Sequence, residues 1–214
     1  MYETILFDLD GTLTDPKPGI TKSVRHALGK FGIDVASLDD LVPFIGPPLA
    51  QSFRDFYGFS ERQSLEAVGH YREYFSDKGL YENRVYDGIP ELLEALAARG
   101  RTAAVATSKP TVFAQKIIGH FGLSGFFRGI FGSNMDNTRT DKAEVIAHAL
   151  AELGRGAAGT VMVGDRKHDI IGARKHGMDS IGVSYGYGSP GELRDAGPNR
   201  IVGSARELAE ALLG

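Results

Sequence analysis

The sequence predicts an α/β fold, namely a Rossmann-like, mostly parallel sheet with helices on both faces, together with an inserted all-helical cap. Beyond residue 88, short apolar runs of β type alternate with segments of helical periodicity, which is typical of a parallel sheet with right-handed crossovers. Between residues 16 and 83, no β-type run interrupts a helical pattern. We therefore expect an α/β core formed by residues 1–15 and 84–214, and a helical cap formed by residues 16–83.

The first predicted element is a strand that ends abruptly. An apolar run beginning at Ile5 leads into Asp8-Leu9-Asp10-Gly11-Thr12, where the acids and the glycine indicate a turn. The segment Asp15-Pro16-Lys17-Pro18-Gly19 follows, and its prolines and glycine are typical of a hinge.

The cap is predicted to consist of helices, because its apolar residues recur at helical spacing. We expect these side chains to form its core, in three groups: Ile20, Val24, Ala27, Leu28 and Phe31; Leu49, Phe53, Phe56 and Tyr57; Leu65, Val68, Tyr71, Tyr74 and Phe75.

The remaining elements alternate in type. Predicted helices cover residues 90–98, 111–120, 142–153, 170–176 and 205–213, and predicted strands cover residues 102–106, 129–131, 160–163 and 180–183. In sheets of this kind ligands bind beyond the carboxyl ends of the strands, so the chemistry is expected there.

Composition excludes several classes of protein. The chain has 214 residues, which suits one large domain or a domain with an insertion. Its net charge of −3 with interspersed signs gives no indication of a nucleic-acid or membrane partner. Because cysteine is absent, disulfides, thiolate metal sites and a cysteine nucleophile are excluded. No signal-peptide pattern is present, and we expect a cytoplasmic protein.

The pair Asp8 and Asp10 is the first candidate for chemistry. Residues two apart on a strand face the same side, so both carboxylates can converge at the strand's end. Two such carboxylates repel each other unless a cation or a proton lies between them, and Mg²⁺ suits oxygen ligands of this kind. One aspartate could then act as a nucleophile while the other transfers protons. The alternative is a capped strand end with two solvated acids.

Polar residues also follow other predicted strands: Thr107-Ser108-Lys109 follows one, Gly164-Asp165 with Asp169 follows another, and Lys142 begins a helix. Each has an ordinary explanation, respectively a helix cap, acids in a first helical turn, and a solvated lysine. Their coincidence at the ends of one sheet favours a shared site that binds phosphate and a cation.

This set resembles the four motifs of the haloacid dehalogenase-like (HAD) hydrolase superfamily, in order and in spacing: Asp8-Leu9-Asp10-Gly11-Thr12, Thr107, Lys142 and Gly164-Asp165 with Asp169. The helical insertion resembles the cap of its phosphoglycolate-phosphatase-like branch. Phe44-Ile45-Gly46-Pro47-Pro48-Leu49 resembles that branch's cap loop, which faces the active site.

The resemblance implies a role for each matching residue. Asp8 would attack phosphorus and become an aspartyl phosphate, and Asp10 would act as general acid and then as general base. Thr107 and Lys142 would hold the phosphoryl oxygens, with Thr12, Gly46 and Ser108 as further substrate-binding candidates. Mg²⁺ would be bound by Asp8, the backbone carbonyl of Asp10 and Asp165, and Asp169 would support the ion through water or through Lys142.

Two residues, Ala143 and Lys109, bear on the assignment of Lys142 as the motif-three lysine. Many relatives have proline after the motif-three lysine, whereas Ala143 follows Lys142 here. Lys109 is a competing lysine close to Thr107, and we expect Lys142 to be the catalytic one.

The expected function is hydrolysis of small phosphate monoesters, with phosphoglycolate as the first substrate hypothesis. A nucleoside 5′-monophosphate phosphatase, a sugar-phosphate phosphatase and a sugar phosphomutase are the alternatives, and monomer and homodimer both stay open. A phospho-accepting signalling receiver is disfavoured, because such a domain would be about half the length of this chain.

The segment Gly186–Gly191 also fits the dinucleotide-binding pattern G-x-G-x-x-G. However, no long βαβ unit follows it, and Pro190-Gly191 suits a helix poorly. We therefore interpret the segment as a flexible loop flanking the site.

Overall fold

A six-stranded, all-parallel sheet in the order β5-β4-β1-β6-β7-β8 forms the centre of the α/β part of the chain. The computed structural model describes residues 2–214. Its strands are β1 (Thr4–Phe7), β2 (Thr14–Asp15), β3 (Arg84–Val85), β4 (Thr102–Pro110), β5 (Phe127–Ser133), β6 (Thr160–Gly164), β7 (Asp179–Val183) and β8 (Arg200–Val202). The predicted α/β class is confirmed.

Helices connect these strands. They are α1 (Lys17–Lys30), α2 (Leu49–Tyr57), α3 (Glu61–Tyr74), α4 (Ile89–Ala98), α5 (Thr111–His120), α6 (Lys142–Leu153), α7 (Lys167–Lys175), α8 (Pro190–Ala196) and α9 (Ala205–Leu213). Short 3₁₀ segments cover Leu38–Phe44 and Ser124–Phe126, and a π-helical turn covers Phe75–Gly79. Within the described residues no helix is long and apolar enough to cross a membrane.

The chain divides into two compact units, one formed by residues 2–15 and 85–214 and the other by residues 16–84. In the first unit, strands β1, β4 and β6 pack against α6 and α7. The core there consists of small and medium apolar side chains: Leu6, Ala104, Ala106, Val145, Ile146, Ala149, Met162, Ala173 and Met178.

Strand order creates a switch point beside β1. The chain proceeds from β1 to β4 and β5 on one side, and then returns to β6, β7 and β8 on the other. Phe7 is in register with Val105 of β4 and with Val163 of β6, so the residues that follow all three strands emerge at one edge. Such switch points form crevices at the carboxyl ends of the strands.

The second unit contains α1, α2 and α3. A capping box begins α3, since the Ser60 hydroxyl accepts from the Gln63 N–H while the Gln63 side chain accepts from the Ser60 N–H. Phe53 and Phe59 stack at 5.8 Å in its core. The prediction that the whole apolar set is buried was wrong for Phe56 and Leu65, which are 50% and 47% exposed.

Two further sequence expectations were wrong near the end of the chain. Helix α8 begins at Pro190, where the sequence was judged poor for a helix. Proline suits the first turn because its missing N–H would have no partner there, and the Ser189 hydroxyl caps the helix by accepting from the Glu192 N–H at 3.0 Å. The short edge strand β8 was not predicted.

Candidate active site

The carboxylates predicted from the sequence meet at the edge of the sheet beside the switch point. Asp8 follows β1 and Asp165 follows β6, while Asp169 is the third residue of α7. One ligand atom from each lies within 4.8 Å of the others, and all three residues are buried. The acids are therefore not the solvated strand-end residues of the alternative explanation.

Glycine permits this close approach. Gly11 has a φ of +83°, and a Cβ there would lie 2.2 Å from Asp165 Oδ2. Gly164 precedes Asp165, and a Cβ at this position would lie 2.2 Å from Asp169 Cγ. Both positions thus need a residue without a side chain for the carboxylates to come together.

Lys142, the first residue of α6, is buried within the carboxylate cluster and is 5% exposed. Its Nζ lies 2.9 Å from Asp8 Oδ1 and 2.8 Å from Asp169 Oδ1, and it donates to the Ala106 carbonyl at 3.0 Å. Burial lowers the pKa of Lys142, but the two carboxylates outweigh burial and raise it overall, which favours the charged form of the side chain.

Lys109 occupies a second position in the site. Its Nζ lies 2.8 Å from Asp10 Oδ2, and both side chains are about nine-tenths buried. The sequence placed Lys109 beside Thr107 but favoured Lys142 alone as the catalytic lysine. In the structure, Lys142 pairs with Asp8 and Asp169, and Lys109 pairs with Asp10.

Two of the expected substrate contacts, Thr12 and Thr107, lie respectively in the turn between β1 and β2 and on β4. Thr107 is buried and its hydroxyl accepts from the Lys109 N–H at 3.3 Å. Thr12 is fully buried, and among the described residues its hydroxyl has no hydrogen-bond partner. Both hydroxyls belong to the same unit as the carboxylates.

The other two expected contacts differ in their placement. The carbonyl of Ser108 accepts from the buried Ser133 hydroxyl at 2.8 Å, which holds the end of β4 against β5. Gly46 belongs to the second unit and has a φ of +105°, a conformation that favours glycine.

Burial disfavours the ionised form of the carboxylates in this site. Burial raises the pKa of Asp165 well above its usual range, and the charges on Asp8 and Asp169 add to this shift. Burial also raises the pKa of Asp169 to about 6 although Lys142 opposes the shift, and it raises that of Asp10 against the effect of Lys109.

A divalent cation fits this site. If all four were ionised, the buried carboxylates of Asp8, Asp10, Asp165 and Asp169 would exceed the two buried lysines, Lys109 and Lys142, by two negative charges. In addition, Asp165 Oδ1 is buried and has no hydrogen-bond partner among the described residues. Carboxylate oxygens are the ligands that Mg²⁺ prefers.

The loop after β7 was expected to flank the site, but its contacts with Asp165 and with the segment after β1 were not predicted. The Tyr187 N–H donates to Asp165 Oδ2 at 2.7 Å, and the Tyr185 hydroxyl donates to the Thr12 carbonyl at 3.0 Å. The signal was present as the closely spaced glycines at 186 and 188, which resembled a dinucleotide fingerprint. Their spacing instead reflects close approach to Asp165.

Residues 5–183 match the family model described as "Haloacid dehalogenase-like hydrolase". The chain is 54% identical over 211 residues to a "5′-nucleotidase" of Pseudomonas aeruginosa, covering 99% of this chain and 96% of that protein. It is 41% identical to "Tyrosine-protein kinase PtkA" of Mycobacterium tuberculosis, covering 98% of this chain and 72% of that protein. It is 31% identical to a "Phosphoglycolate phosphatase" of Agrobacterium fabrum, covering 85% of this chain and 80% of that protein.

A solved structure supports the same relationship. The fold matches a crystal structure of a predicted phosphatase from Clostridium acetobutylicum with a TM-score of 0.97 and 48% sequence identity, over 100% of this chain and 99% of that one.

Proposed function

The chain belongs to the haloacid dehalogenase-like hydrolases and is a phosphomonoesterase, and from that premise we propose that it hydrolyses nucleoside 5′-monophosphates with Mg²⁺ through an aspartyl phosphate on Asp8. The observation that carries the proposal is the position of Asp8. Its carboxylate is buried between Lys142 and the carboxylates of Asp165 and Asp169, at the carboxyl edge of the sheet.

In the first step, a carboxylate oxygen of Asp8 forms a bond to phosphorus while the ester P–O bond breaks. Asp10 gives its proton to the departing alkoxide, and burial supports this role because it raises the pKa of that carboxyl. In the second step Asp10 takes a proton from water, the water oxygen bonds to phosphorus, and the bond between Asp8 and phosphorus breaks. The products are the alcohol and inorganic phosphate.

Lys142 and Thr107 are proposed to hold the phosphoryl oxygens. Phosphoryl transfer depends mainly on positioning and on offsetting the charge of those oxygens, and the buried Lys142 ammonium beside Asp8 is suited to both. Thr12 and Ser108 are proposed as further contacts, as is Gly46 from the second unit. The unpartnered Thr12 hydroxyl supports its inclusion.

Asp8, Asp165 and Asp169, together with the backbone carbonyl of Asp10, are proposed to hold Mg²⁺. A bound Mg²⁺ would offset the negative charge of the phosphoryl group and of the carboxylates around it. The uncompensated charge of the site and the partnerless Asp165 Oδ1 support this assignment.

The relative at 54% identity favours a nucleoside 5′-monophosphate as substrate, because the likeness extends over nearly the whole of both chains. Phosphoglycolate, the first hypothesis from the sequence, becomes the second candidate, supported by a relative at 31% identity. A sugar phosphate and a phosphomutase reaction are further alternatives. A small phosphate ester as the partner stays a prediction from the family resemblance, and the lack of a nucleic-acid or membrane partner and a cytoplasmic location stay predictions from the sequence.

The test is phosphate release from nucleoside 5′-monophosphates, phosphoglycolate, sugar phosphates and p-nitrophenyl phosphate, measured with Mg²⁺ and with EDTA. We expect the highest kcat/KM with a nucleoside 5′-monophosphate, and no release in EDTA or by Asp8→Asn. Asp195→Asn, an exposed change on α8, is the matched control. Preference for another ester would refute the substrate assignment, and release by Asp8→Asn at the wild-type rate would refute the nucleophile.

A further inference from the structure

The segment from Tyr185 to Gly188 follows β7 and contacts the carboxylate cluster. Its backbone reaches Asp165 directly, since the Tyr187 N–H donates to Asp165 Oδ2 at 2.7 Å. The other carboxylate oxygen, Oδ1, has no hydrogen-bond partner among the described residues. The described residues therefore hydrogen-bond to one carboxylate oxygen of Asp165 and not to the other.

Two glycines allow this segment to lie against Asp165. A Cβ at Gly186 would lie 2.3 Å from the Gly11 carbonyl oxygen and 2.4 Å from Asp165 Cβ. A Cβ at Gly188 would lie 1.9 Å from the Asp165 carbonyl oxygen. Real Cβ contacts are longer, so any side chain at either position would displace Asp165 or the segment itself.

The phenol of Tyr187 fixes the segment from the other side. Its hydroxyl donates to Asp15 Oδ1 and is also hydrogen-bonded to Tyr86. Asp15 and Tyr86 lie near the two points where the chain passes between the units. The position of the Tyr187 N–H is thus set by both of these side-chain contacts and by the glycines on either side.

We propose that Tyr187 is a positioning residue for the metal site, and that Gly186, Tyr187 and Gly188 together orient Asp165 and thereby set the affinity of the site for a divalent cation. This inference rests on the proposed function, which assigns Asp165 as a ligand of Mg²⁺. Groups that hydrogen-bond to metal-ligating carboxylates fix their orientation, and their loss typically weakens metal binding about 10- to 100-fold.

The test is calorimetric titration of the metal-free protein with MgCl₂. We expect Gly186→Ala to raise the dissociation constant at least about tenfold, because the new Cβ competes with Asp165 for space. Tyr187→Phe keeps the backbone N–H and removes only the phenol contacts, so we expect a smaller rise of about three- to tenfold. In both variants, saturating Mg²⁺ should restore most of kcat, which a defect in folding would not allow.

Matched controls come from the same chain. At Gly191, in the same glycine-rich run, a Cβ would contact only the Ser189 hydroxyl oxygen, at 3.8 Å. The Tyr2 hydroxyl donates to Asp179 at an exposed site, a bond of the same type as that between Tyr187 and Asp15. Gly191→Ala and Tyr2→Phe should therefore leave the dissociation constant within about twofold of wild type.

The outcomes separate the inference from the proposed function. Wild-type affinity for Mg²⁺ in both Gly186→Ala and Tyr187→Phe, with a working phosphatase, would overturn the inference alone. A wild-type protein that binds no Mg²⁺ would overturn both. If Gly186→Ala does not fold, as judged by circular dichroism, Tyr187→Phe decides the question, because this change is isosteric apart from one hydroxyl.

Discussion

Replacing Lys142 with methionine isolates the charge of the buried ammonium group. Methionine keeps most of the apolar stem, so the packing of α6 against Gly172 should change little. The substitution removes the ion pairs to Asp8 and Asp169, at 2.9 Å and 2.8 Å, and the hydrogen bond to the Ala106 carbonyl. Those carboxylates then face each other without their cation.

The effect on stability depends on pH. Removing one partner of a buried ion pair typically costs about 3–5 kcal/mol, because the remaining charge is left uncompensated. Protonation limits that cost: burial holds the pKa of Asp169 at about 6 even with Lys142 present, and the pKa should rise further without it. We therefore expect a free energy of unfolding in EDTA that is lower than wild type by about 3 kcal/mol at pH 8 and by about 1 kcal/mol at pH 5.

The effect on catalysis should be larger than the effect on folding. Removing one preorganised group that stabilises transition-state charge usually lowers kcat about 10²- to 10³-fold, or about 2.7–4 kcal/mol. The assay is steady-state hydrolysis of p-nitrophenyl phosphate at saturating Mg²⁺ and at a temperature where the variant is folded. Urea unfolding at both pH values supplies the stability measurement.

Lys175→Met is the control, since Lys175 is an exposed lysine that pairs with Asp141 at 3.7 Å, and it should change neither quantity beyond about 0.5 kcal/mol. Lys109→Met tests the alternative lysine. If Lys142→Met keeps more than a tenth of kcat while Lys109→Met loses 10²-fold or more, the phosphoryl-binding role belongs to Lys109 and our reasoning about Lys142 is refuted.

Two other predictions concern metal removal and the second unit. In EDTA, stability should fall as the pH rises from about 4 to about 6, because burial raises the pKa of Asp169 to about 6 and also raises that of Asp165, so the folded protein retains protons that the unfolded chain has released; Mg²⁺ should restore the stability. A rise in melting temperature over that range would contradict this. On α1, Gly19→Ala should destabilise by about 1–3 kcal/mol, because its Cβ would lie 1.9 Å from the Gly79 carbonyl oxygen. Gly29→Ala, where a Cβ meets nothing within 4 Å, should stabilise by about 0.5–1 kcal/mol, and equal urea midpoints for the two variants would refute the argument.

The bounds of helices and strands were predicted best where a local signal, such as a capping residue, ends the element. Helices over residues 111–120, 142–153 and 205–213 were predicted with the bounds that the structure has. Local capping accounts for two of them: Asp141 accepts from the Ala143 N–H, and Ser204 accepts from the Glu207 N–H. Strand β4 extends to Pro110, beyond its predicted end at Ala106, because Pro110 pairs with Ser133 of β5 across an irregularity in register. Pairing of that kind depends on a distant segment and leaves no local signal.

In the candidate site, too, some contacts could be predicted from the sequence, whereas others depend on distant segments of the chain. Asp8 and Asp165 could be predicted to meet, because parallel strands bring their carboxyl ends to one edge. The partner of Lys109 could not be predicted, because it depends on a side-chain direction at the end of a strand. The loop that contains Tyr187 was expected to flank the site, but its contact with Asp165 joins residues 22 apart and has no local signal.

The positions of the two buried lysines show which carboxylate of the site has no lysine beside it. Lys142 and Lys109 between them contact every buried carboxylate of the site except that of Asp165. The charge of the neighbouring Arg166 lowers the pKa of Asp165 but does not outweigh burial, and its guanidinium pairs with Glu192 at 2.9 Å. Among the described residues, the carboxylate of Asp165 therefore has a backbone N–H but no ion pair, and burial shifts its pKa strongly upward. A divalent cation bound at Asp165 would offset the charge of this carboxylate and could bind substrate oxygens at the same time.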